Sequence, residues 1–98
     1  MNIWDVGFLI PEDVRKTEML STQKRSLRTK AEEKKKSAHE NFKIGDFLAA
    51  KNDLIDARHY IQEALKLVRT LGERGISERT IQDDIEALWR NINSKETT

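Results

Sequence analysis

The sequence has no cysteine, which excludes a disulfide scaffold and any thiolate metal site and suits a reducing compartment. One proline and four glycines in 98 residues are too few turn-formers for an all-β fold. No apolar run approaches the roughly 20 residues of a membrane span. The opening MNIWDVGFLIPEDV lacks a basic stretch, and Asp5 and Gly7 break its apolar run, so it does not read as a signal peptide. These absences lead us to expect one small cytoplasmic domain with no membrane contact.

Neither sign of charge dominates. The formal net charge is +1, so bulk charge makes no argument for nucleic acid. The distribution is uneven, however. Residues 12–44 hold ten Lys or Arg against six Asp or Glu, whereas residues 45–98 hold eight against ten.

What the chain does have is helical periodicity. Charged residues are 36% and hydrophobic residues 37%, a balance that suits amphipathic helices with wide solvated faces. Residues 1–10 carry Ile3, Trp4, Val6, Phe8, Leu9 and Ile10, and read as an extended apolar arm lying on hydrophobic surface, the chain's own or a partner's. Pro11 suits the first position of a helix, with Glu12 and Asp13 favoured by its dipole. That first helix should run over about 11–43, since no breaker follows until Gly45. Its apolar seam of Leu20, Leu27, Ala31 and Ala38 is thin, with Lys24, Lys34 and Asn41 between.

The second helix, about 46–71, has the clearest pattern. Phe47, Leu54, Ile61 and Val68 fall seven apart, and so do Ala50, Ala57, Ala64 and Leu71. A row of large residues beside a row rich in alanine predicts close antiparallel packing on the first helix. Leu48, Ile55, Tyr60, Leu65 and Leu67 widen the stripe, so a third helix or a partner must cover a second side. Gly72 suits the residue just past this helix. The third helix, about 77–93, should be capped by Ser77 and buries Ile81, Ile85, Leu88 and Ile92, with Trp89 extending that face. Residues 94–98 should fray. The fold expected is therefore all-α: a long antiparallel hairpin plus a shorter third helix, forming a three-helix bundle with an extended N-terminal arm.

Catalytic chemistry finds little to use. Asp56 and His59 have the spacing of carboxylate-bridged metal bundles, with Glu63 a turn further on, but their positions in the repeat face solvent. No serine sits in a G-x-S-x-G turn, no glycine-rich phosphate loop exists, and no arginine stands four to six residues before either histidine. We expect no enzyme, cofactor, metal or small-molecule substrate.

Two strings carry resemblances. Gly45-Asp46-Phe47 followed by Ala50, Leu54 and Ala57 resembles the second half of a tetratricopeptide-type hairpin, and is similar to the hairpin of three-helix domains that bind partner helices. Asn41 departs from that pattern, standing where an aromatic is usual. GISERTIQDDIEAL, residues 75–88, resembles the turn and recognition helix of bacterial helix-turn-helix regulators. That likeness implies that Ser77 caps the helix and that Arg79, Thr80 and Gln82 face a DNA groove. It departs in the longer turn over residues 72–75 and in Asp83, where a basic residue is usual.

Function is then expected to be a protein-protein interaction module, accessory or regulatory, self-associating or binding a partner helix. Candidate contact residues are Trp4, Phe8, Leu48, Ile55, Tyr60 and Leu67. The alternative is a small nucleic-acid-binding regulator. It would use Lys24, Arg25, Arg28, Lys34, Lys35 and Lys36 on phosphate, or Arg79 and Gln82 on bases.

Overall fold

Helical periodicity over nearly the whole chain leaves a hairpin and a bundle as the way to bury the apolar stripes. The computed structural model describes the backbone of residues 12–97 and the side chains of residues 15–97. Among them it has three helices and no strand: α1 (Glu12–Lys43), α2 (Phe47–Leu71) and α3 (Ile76–Glu96). This is the expected all-α three-helix bundle. The arm over residues 1–10, with Trp4 and Phe8, lies outside the described residues.

The turn between α1 and α2 is fixed by backbone geometry. Gly45 takes φ +83°, its N–H donates to Phe42 O, and the Asp46 N–H reaches back to Asn41 O at 2.9 Å. This paired ending satisfies carbonyls that a helix terminus would leave bare. α2 ends in the same way at Gly72. Asp46 then caps α2, its carboxylate accepting from the Ala49 N–H at 3.1 Å. The Phe42 and Phe47 rings meet across the turn, 5.8 Å apart.

α1 and α2 run antiparallel with their alanines facing. Ala31 and Ala38 of α1, and Ala50, Ala57 and Ala64 of α2, are fully buried, together with Leu54 and Ile61. Side chains of one methyl let the two backbones come close, so dispersion contacts between the helices accumulate without large residues on α1. The register follows from Ser37 opposite Asp53 and Lys34 opposite Asp56. It brings Leu71 level with Met19, so the first two turns of α1 run on past the end of α2.

α3 folds back along α2. Ile81, Ile85, Leu88 and Ile92 enter the core, while Trp89 packs at its edge beneath the Arg58 guanidinium, 4.7 Å from the ring centroid. Arg58 also pairs with both Glu86 oxygens, at 2.8 and 2.9 Å, a forked contact that fixes the angle of α3 on α2.

Two expectations about α3 are corrected. Ser77 is not its cap. The helix begins at Ile76, and the capping position is Gly75, which makes no side-chain cap bond. Gly75 wins the position by shape: it sits at φ +64°, and a Cβ there would lie 2.6 Å from Val68 Cγ1. Nor does the helix end at residue 93, since it continues to Glu96. There Lys51 holds Glu96 at 2.8 Å, and the Thr97 hydroxyl donates to the Asn93 and Ser94 carbonyls.

Two stability outcomes follow from this packing. Ala57→Leu should cost about 1–3 kcal/mol, because the seam has no room for three more carbons. Gln62→Leu, on an exposed position of the same helix, should stay within about 0.5 kcal/mol of the parent. Chemical denaturation of both variants separates the two; equal costs would place the seam elsewhere. Gly75→Ala and Gly45→Ala both force alanine into left-handed backbone, for about 1 kcal/mol each. Only Gly75→Ala adds the overlap with Val68, so it should destabilise more than Gly45→Ala, which meets nothing within 4 Å.

Candidate functional site

The basic stretch of α1 is used largely inside the molecule. Lys24 Nζ lies 2.6 Å from Glu73, Lys34 lies 3.6 Å from Asp56, and Lys35 lies 3.2 Å from Asp84. Arg28 lies 3.6 Å from Glu78, a carboxylate buried to 3% exposure. Arg25 and Lys36 are exposed and make no ion pair among the described residues. A cation already facing a carboxylate is a poor phosphate ligand, because the acid stays beside the phosphate and repels it. Of the six candidate phosphate contacts, four are matched in this way.

The candidate reading helix is placed by the same pairs. Arg58 with Glu86 and Lys51 with Glu96 hold α3 antiparallel along α2, whereas a recognition helix crosses its partner steeply. Arg79 and Gln82 border a shallow hollow with Leu65, Val68, Arg69 and Asp83. Arg79 is exposed and Gln82 half-buried. Asp83 stands within that hollow, so the face combines both signs of charge.

The polar positions of the thin α1 seam are also satisfied across the hairpin. Ser37 Oγ and Asn41 Nδ2 both donate to Asp53 Oδ2, at 2.7 and 2.8 Å. Asp53 did not figure among the residues singled out from sequence, and Glu78 was read only as an acid beside the cap of the third helix, not as a buried group. Glu78 was visible in principle. Residues 78, 81, 85, 88 and 92 continue one row at steps of three and four, so Glu78 stands on the buried stripe of α3.

The candidate contact residues of α2 separate onto different surfaces. Leu48 is 72% exposed and Ile55 52% exposed, one above the other on the outer face, about 10 Å apart along the axis. Ile44, 77% exposed in the turn, stands four residues before Leu48. Tyr60 does not join them. It packs against the core and faces α1, with Lys30 Nζ 5.8 Å from its ring. Leu67 is half-buried beside Gln23 and Leu27 of α1. The two rows lie about 120° apart around the helix, so one surface cannot present both.

Asp56, His59 and Glu63 form no centre. Asp56 faces Lys34, Glu63 pairs with Lys66 at 3.1 Å, and His59 is exposed beside Tyr60. No group of three or more His, Cys, Asp or Glu that could hold a metal ion occurs among the described residues. No helix among them is long and apolar enough to cross a membrane. No family model, curated protein or solved structure matches this chain.

The buried acid gives a direct test. Arg28→Ala leaves Glu78 without its cation and should cost about 1–3 kcal/mol. Lys34→Ala removes a pair that is exposed on both sides and should cost less than about 1 kcal/mol. Thermal or chemical denaturation at neutral pH reads both. A larger loss for Lys34→Ala would mean that burial does not set the worth of these pairs.

Proposed function

We propose that this chain is a small non-enzymatic protein-protein interaction module, an accessory or regulatory protein acting through helix-helix contacts on the outer face of α2. The observation that carries the reading is the exposed pair Leu48 and Ile55, on one row of a helix whose other apolar rows are covered by α1 and α3. Ile44 extends the patch toward the turn. A row of large aliphatic residues at heptad spacing is the surface that a second amphipathic helix uses, whether from another protein or from a second copy of this chain. The matching of Lys24, Arg28, Lys34 and Lys35 to carboxylates supports this reading over contact with nucleic acid.

Leu48→Glu combined with Ile55→Glu should leave helical content and stability nearly unchanged, since both side chains already face solvent. Each leucine or isoleucine removed from an apolar contact forfeits on the order of 1.5–3 kcal/mol, so association should weaken at least about tenfold per residue. Light scattering against concentration, together with capture of partners on the immobilised protein, measures this. Unaltered association in the double variant overturns the reading. A sequence-specific shift of duplex DNA at about 150 mM salt would replace it with that of a DNA-binding regulator.

A further inference from the structure

The ion pairs between α3 and the hairpin all have one polarity. Arg28 faces Glu78 at 3.6 Å, Lys35 faces Asp84 at 3.2 Å, Arg58 faces Glu86 at 2.8 Å and Lys51 faces Glu96 at 2.8 Å. In each the cation belongs to the hairpin and the acid to α3. Arg79 and Arg90 of α3 are exposed, and neither makes an ion pair among the described residues. The hairpin cations form two rims. Arg28 and Lys35 stand seven apart on α1, and Lys51 and Arg58 stand seven apart on α2. Each pair therefore lies on one side of its helix, about 10 Å apart along the axis.

Between the rims lies an apolar floor that includes Leu54 and Ile61, on which α3 sets Ile81, Ile85, Leu88 and Ile92. Asp84 and Glu86 straddle Ile85, one acid toward each rim. Trp89 lies under the α2 rim, 4.7 Å from the Arg58 guanidinium and 5.8 Å from Lys51 Nζ. The hairpin keeps its own register without α3, through Ser37 and Asn41 on Asp53 and through Lys34 with Asp56. α3 is joined to it by residues 72–75, whose two glycines stand at φ +71° and +64°. Glycine takes other backbone angles at little cost, so this turn can act as a hinge.

We propose that the groove between α1 and α2 is a receptor for an acidic amphipathic helix, and that α3 fills it in cis until such a helix from another protein takes its place. The chemistry of the occupant is set by the groove: aliphatic residues at steps of four, three and four, with acids on both margins. An apolar floor admits many amphipathic helices, whereas rims of one sign of charge select among them. Leu48 and Ile55 lie on a separate surface, and the proposal does not depend on the function assigned to them.

A labelled peptide with the sequence of residues 76–97, added to the full chain, tests it by fluorescence anisotropy. In the parent, α3 competes at an effective concentration in the millimolar range, so the peptide should bind weakly. Glu86→Arg sets α3 against Arg58 and leaves the groove intact, so this chain should bind the peptide at least about tenfold more tightly. Adding Arg58→Glu re-pairs α3 in cis and repels the peptide, and the gain should disappear. A peptide with Asp84, Glu86 and Glu96 changed to Gln should bind the Glu86→Arg chain at least about tenfold more weakly. Hydrogen exchange of the parent gives a reading that needs no variant: amides of α3 should exchange faster than those of α2, as a detachable helix requires. Equal protection of the two helices overturns the proposal. So does a Glu86→Arg chain that keeps its helical content and binds no more tightly than the parent. So does binding indifferent to Arg58→Glu or to the loss of the acids. A Glu86→Arg chain that dimerises and excludes the peptide would assign the groove to α3 of a second copy, and overturns it too.

Discussion

The close approach of α1 to α2 along facing alanines holds the rest of the structure in place. α1 brings almost no large side chains to the core: Ala31 and Ala38 are fully buried, and Leu27 and Phe42 only partly. Such a helix cannot be held by bulk. It is held because small residues on both sides let the backbones approach until many weak dispersion contacts add. The large aliphatic residues of α2 then turn toward the space that α1 and α3 enclose, and α3 has a surface on which to close. Enlarging any of the alanines would push α1 outward and loosen the register that the polar contacts require.

Those polar contacts select register more than they supply stability. Exposed ion pairs contribute on the order of 0–1 kcal/mol each. Lys24 with Glu73, Lys34 with Asp56, Lys35 with Asp84 and Lys51 with Glu96 nevertheless lie at successive levels of the bundle. A shift of α1 by one turn would part Lys24, Lys34 and Lys35 from their acids. The exception in kind is Glu78, whose burial makes Arg28 necessary rather than merely favourable.

Much of the fold was legible in the sequence, for reasons that differ by element. α2 announced itself through two rows seven apart. Its end was marked by Gly72, because capping chemistry is local, whereas the capping role of Asp46 was not read. The start of α3 was misread, because Ser77 satisfies the local rule for a cap while the actual constraint, Val68 against Gly75, acts across the turn. The candidate site was less legible. Rows on a helix show which residues share a face but not which neighbour covers it, so Tyr60 and Leu67 were grouped with Leu48 and Ile55. The basic stretch was ambiguous for the same reason. Lys24 and Lys35 meet acids 49 residues away, a separation at which no periodicity in either helix reports the pairing.

The order of the helices has a kinetic consequence. Each helix packs on its neighbour in sequence, through turns of only a few residues, and α2 is the element that both others need. Chains whose contacts are this local fold in microseconds to milliseconds, since little loop entropy is lost before packing begins. α1 and α3 touch each other less than either touches α2, with Arg28 against the buried Glu78 and Lys35 against Asp84 between them. Either can therefore detach while the other stays docked on α2, and amide protons of α2 should exchange with solvent last.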